Sequence, residues 1–109
     1  MDAYRDKFAE FLAALKRAVA ANDRESVASL VDLPIGDLSR DEFIKRYEEI
    51  VTPCLARSIQ CASIDEVAED YEGAWVAHGG LLVDMPKDRF QIVGFTGKGP
   101  CYQNGQPRE

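Results

Sequence analysis

The chain has 109 residues, 46% hydrophobic and 29% charged. That supports one domain with one core, and it excludes a collagen-like repeat, a disordered chain and, because apolar runs are only a few residues long, a membrane-spanning helix. Acidic residues outnumber basic ones 19 to 13 for a net charge of −6, and no basic stripe is present, which argues against nucleic acid or an anionic membrane as partner.

Tyr4, Phe8, Phe11, Leu12, Leu15 and Val19 recur at steps of three, four and seven, predicting an amphipathic helix over 2–21. The basic residues Arg5, Lys7, Lys16, Arg17 and Arg24 alternate with acids and read as a solvated helix face. Asn22 followed by Glu25 has the form of a capping box, which predicts Asn22 as the cap of a short helix carrying Val27, Leu30 and Val31. Val31–Gly36 reads as a short edge strand, because Pro34 cannot donate to a central ladder. Ser39-Arg40-Asp41-Glu42 is a second capping box, ahead of a helix with Phe43, Ile44, Tyr47, Ile50 and Val51 on its apolar stripe. Thr52-Pro53 then restarts or kinks it, with Thr52 able to cap and Pro53 suited to a first helical position. Leu55 and Ile59 continue the apolar face.

From residue 63 the period changes from helical to two. The stretch 63–69 fits a strand or a helical turn. Tyr71, Gly73, Trp75 and Ala77 share one face of a strand, and His78-Gly79-Gly80 is a turn into Leu81–Asp84. Met85-Pro86-Lys87-Asp88 is a second turn, before a strand over 89–95 with Phe90 and Ile92 on one face and Val93 and Phe95 on the other. The expected architecture is α+β, with N-terminal helices packed on one face of a twisted antiparallel sheet. One domain is expected over 1–97, followed by a loosely ordered tail over 98–109.

Several stretches resemble a group of small bacterial proteins in the nuclear transport factor 2-like superfamily. They are Phe11–Val19, Val27–Pro34, Ser39–Phe43, Arg46-Tyr47, Thr52-Pro53, Tyr71 with Gly73, Gly80–Val83 and Phe90–Val93. The resemblance covers about residues 8–95. It implies a cone in which a curved antiparallel sheet wraps a long helix. The superfamily hosts isomerases, cyclases, dehydratases, transport factors and immunity proteins, so the resemblance implies a fold more than an activity. Members of known activity carry an acid/base pair inside the cone, and no motif in this chain marks such a pair.

Two function classes follow. One is a non-catalytic binding or protein-interaction module, for instance a bacterial immunity or adaptor protein. It is expected to be a homodimer through the sheet, because a sheet apolar on both faces tends to be covered. Its other partners would be a protein or a small apolar ligand. The alternative is a small-molecule enzyme of the ketosteroid isomerase or SnoaL-like kind. Its acid/base candidates are Asp32, which follows an apolar run, and His78, the one histidine. The plainer reading makes Asp32 a helix-end polar residue and His78 a solvated turn residue. Tyr47, Tyr71, Trp75 and Phe90 could line a ligand pocket, the plainer reading being core against the long helix. Gly94–Gly99 lacks the spacing of a phosphate loop. No cofactor is implied, and one histidine with no CxxC does not suggest a metal site.

The cysteines are Cys54, Cys61 and Cys101. Cys54 and Cys61 sit two helical turns apart, roughly 10 Å, too far to bond to each other. Reduced thiols are the plain expectation, matching a cytoplasmic location read from the absence of a leader-like start. In an oxidising compartment, periplasmic or extracellular, Cys101 is expected to bond to Cys54 or Cys61.

Overall fold

The computed structural model describes residues 2–66, 68–70, 73–76, 80–86, 88–96, 102–103 and 106–107. Helix α1 runs Asp2–Ala20. It presents Phe8, Phe11, Leu12, Leu15, Ala18 and Val19 to the core, the stripe that the 3.6-residue period predicts. The helix ends in a Schellman motif. Asn22 takes the left-handed conformation at φ +54°, Asp23 N–H donates to the Ala18 carbonyl at 2.9 Å, and Asn22 N–H donates to Val19 at 3.0 Å. This corrects the expected cap by one residue. Asn22 closes α1, and Asp23 caps α2, Arg24–Ser29, by accepting from Ser26 N–H. Asparagine tolerates the left-handed region that closes the first helix, so the capping duty passes to the next acceptor in the chain.

Ser39 caps α3, Arg40–Lys45, by accepting from Glu42 N–H. A short α4 follows, Tyr47–Ile50, after a break at Arg46. Thr52 caps α5, Pro53–Cys61, by accepting from Leu55 N–H at 3.2 Å, with the proline in the first turn as expected. Phe43, Tyr47, Leu55 and Ile59 from these three helices, and Val51 between α4 and α5, are all buried. Two bonds clamp α5 to α1: the Gln60 amide donates to the Lys16 carbonyl at 2.8 Å, and the Lys16 ammonium donates to the Ala62 carbonyl.

The ambiguous stretch after α5 contains both readings in turn. Ile64–Glu66 is a 3₁₀ helix, tethered to α1 by the Arg5–Asp65 ion pair, and Ala68–Asp70 is strand β1. Strands β2 (Gly73–Val76), β3 (Leu81–Asp84) and β4 (Gln91–Phe95) complete an antiparallel sheet of order β1-β2-β3-β4. The hairpin expected between 72–77 and 81–84 is present, with Ala74 opposite Val83, Trp75 opposite Leu82 and Val76 opposite Leu81. The expected edge strand at 31–36 shrinks to a single parallel bridge from Val31 to Ile92, held by two 2.8 Å backbone bonds. Beyond it Pro34 supplies no donor, and the chain turns back on itself at the Ile35–Leu38 bridge. Tyr102–Gln103 and Gln106–Pro107 form a separate two-stranded pair, β5 and β6.

Helices cover one face of the sheet, so the architecture is α+β. Ala74, Val76, Leu81, Val83 and Ile92 face them and are 2% exposed or less. The expected side assignment of β4 is corrected at its far end. Leu82 pairs with Gly94 but Val83 pairs with Ile92, so Val93 is an extra residue in a β-bulge. The bulge returns Phe95 to the helix side, where its ring stacks on Phe43 at 5.8 Å. Phe90, Ile92 and Phe95 therefore all serve one core. Trp75 is corrected the other way. Its neighbours Ala74 and Val76 take the core positions, and Trp75 lies half-buried on the far face beside Leu82.

Candidate functional site

Two kinds of surface stand out: hollows along the helices and the far face of the sheet. The first hollow lies between the N-terminal half of α1 and the turn joining β3 to β4, with a volume of about 360 Å³. Phe11 and Phe90 form its floor, each 7% exposed, their ring centroids 6.2 Å apart. Phe8 packs edge-on against Phe90 at 4.9 Å, which fixes the floor before anything binds. Lys7 and Glu10 stand on the helical rim; Met85, Asp88 and Arg89 stand on the turn. Helical spacing explains the first rim, since residues three and four apart share a face and Lys7, Glu10 and Phe11 are so related.

A second hollow, also about 360 Å³, lies where the end of α1 meets α4 and α5. Tyr47 lines it with Val19, Val51, Pro53 and Ala56. The Tyr47 ring is 3% exposed. It packs edge-on against Phe43 at 5.9 Å, with the Arg24 guanidinium 5.4 Å from its centroid. Burial raises the Tyr47 phenol above its ordinary 10.0, and the Arg24 charge pulls partly back. Arg24 is itself held by the Ile44 carbonyl and Glu48. A shallower apolar hollow of about 280 Å³ adjoins it, floored by Val19, Ala20 and Ala56 and rimmed by Arg57, Gln60 and Cys61.

Among the described residues, the expected pocket residues Tyr47, Trp75 and Phe90 lie in three different places. Phe90 floors the first hollow and Tyr47 the second, while Trp75 is on the far sheet face. Asp32 sits at the β4 edge, its N–H donating to the Ile92 carbonyl. Its neighbour Val31, 3% exposed, takes the core position there. Tyr71, His78 and Cys101 lie outside the described residues. Cys54 is disulfide-bonded and Cys61 is an exposed free thiol, so the plain expectation of reduced thiols is corrected at Cys54. That expectation rested on how the chain starts, which carries no information about oxidation at a particular side chain.

Sequence reasoning passed over Lys7, Glu10, Asp88 and Arg89. Helical spacing already placed Lys7 and Glu10 beside Phe11, but only tertiary packing sets the β3–β4 turn against them. Among the described residues the buried polar side chains are Thr52, which caps α5, and Gln91, whose Oε1 has no hydrogen-bond partner. The remainder of the buried interior is apolar, filled by Phe43, Leu15, Leu55, Leu81 and their neighbours. No described helix is long and apolar enough to cross a membrane. Comparison with family models, with curated proteins and with solved structures finds no match to this chain.

Proposed function

We propose that the chain is a non-catalytic binding module of the nuclear transport factor 2-like kind, acting as a homodimer through the far face of its sheet. The observation that carries this reading is the division of apolar side chains between the two faces. Among the described residues the helix side is packed with Phe43, Leu15, Ile92 and Val83, which supports binding over acid/base chemistry between the helices and the sheet. The far face still presents Trp75 and Leu82, a half-buried cross-strand pair. Large aromatic side chains at such positions supply much of the energy of protein interfaces. A bridge at Cys54 favours an oxidising compartment, since disulfides persist there and are rare in the cytosol. An immunity or adaptor role in such a compartment fits a small acidic interaction module.

The test is light scattering on the full chain at tens of micromolar. The expected mass is twice that of the chain. Trp75→Glu is expected to give monomers with an unchanged far-ultraviolet circular dichroism spectrum. A monomeric parent protein would overturn the dimer.

A further inference from the structure

The hollow between α1 and the β3–β4 turn carries a second, separate reading. It shares no residue with the Trp75–Leu82 face, so it stands whether or not the chain dimerises. Among the described residues each rim holds one charge of each sign: Lys7 and Glu10 on the helix, Asp88 and Arg89 on the turn. Among the described residues none of the four forms an ion pair, whereas Arg5, Arg24 and Arg46 all do. The charges rim an aromatic floor packed from the Phe8, Phe11 and Phe90 rings. A volume of about 360 Å³ falls at the small end of ligand pockets, which combine an apolar lining with a few converging polar groups.

We propose that this groove binds a free α-amino acid with an aromatic or long aliphatic side chain. The side chain lies on Phe11 and Phe90. The carboxylate takes a cation from Lys7 or Arg89, and the ammonium an anion from Glu10 or Asp88. An apolar ligand without charges would leave the rims unused. A ligand of one sign would meet a like charge on either rim.

The experiment is an amide-shift NMR titration of the full chain with L-phenylalanine. The control is N-acetyl-L-phenylalanine amide, which keeps the ring and removes both charges. The expected result is saturable shifts at the Phe11, Arg89 and Phe90 amides with a Kd of about 1 mM, the scale set by a dozen ligand atoms in an open site. The blocked analogue should bind at least tenfold more weakly. Arg89→Ala and Glu10→Ala, both at exposed positions, should each weaken binding threefold or more while leaving the rest of the spectrum in place. Absence of saturable shifts in the groove, equal binding of the blocked analogue, or unchanged affinity in both variants would overturn the proposal.

Discussion

Gly73 shows how one residue can be dictated by backbone alone. It sits at φ +136° where β1 pairs with β2, and a Cβ built there would lie 2.5 Å from the Val83 carbonyl oxygen. A backbone atom in the middle of a sheet cannot step aside as a side-chain tip can. Gly36 is the useful contrast: its φ is +58°, but a Cβ there meets nothing within 4 Å. Gly73→Ala therefore carries both conformational strain and a collision, Gly36→Ala only strain. The expected cost is about 3 kcal/mol for the first and about 1 kcal/mol for the second. Urea denaturation of the two variants measures the difference, and equal midpoints would contradict the geometry. Gln91 presents the opposite case, a residue the fold tolerates rather than requires. It is 4% exposed with an unpartnered carbonyl oxygen, and such an acceptor is a cost that the surrounding apolar packing offsets.

At the scale of the element, the helices after α1 are short and their ends matter correspondingly. α2, α3 and α5 have 6, 6 and 9 residues, below the length at which a helix holds itself in water. Each is opened by a side-chain cap, from Asp23, Ser39 and Thr52 in turn. Asp23 is the one whose cap titrates. The Ser26 hydroxyl and backbone N–H both donate to its carboxylate, and these bonds hold its pKa below the ordinary 3.8. A carboxylate with a depressed folded pKa contributes stability above its unfolded value. That contribution is lost as pH falls from 3.8 through the lower folded value. Asp23→Asn keeps a capping oxygen but cannot titrate there. Its urea midpoint is expected to match the parent at neutral pH and to fall less steeply below pH 3.8. Superimposable acid limbs in the two proteins would show that the cap carries no such linkage.

At the scale of the whole molecule, two layers bury one core, and covalent chemistry adds to it. α1 crosses α5, and the two are joined by the Lys16–Ala62 and Gln60–Lys16 bonds. The first turn of α5 carries the bridged Cys54 and its last residue is the free Cys61. Alkylation of unreduced, denatured protein followed by peptide mapping is expected to label Cys61 and leave Cys54 unlabelled. Prior reduction should label Cys54 too. Label on Cys54 without reduction would remove the bridge, and with it the argument for an oxidising compartment. The bridge is also expected to raise the thermal midpoint, since a cross-link restricts the unfolded chain.

Local chemistry made much of this fold legible. The stripe of α1, the Ser39 and Thr52 caps, the proline opening α5 and the pairing of 74–76 with 81–83 are set by periods and caps spanning a few residues. Three outcomes depended on contacts distant in sequence. The bulge at Val93 turns Phe95 onto Phe43, because the sheet must cover helices whose positions the strand itself does not encode. The face that Trp75 occupies depends on whether Ala74 and Val76 or their neighbours pack best under those helices. The groove with its four charges exists only because residues 7–11 and 85–90 meet across the molecule. Short-range periodicity determines which side chains share a face. Which face is buried, and what stands opposite it, is decided by the packing of whole elements, whose energies are summed over contacts that no local stretch contains.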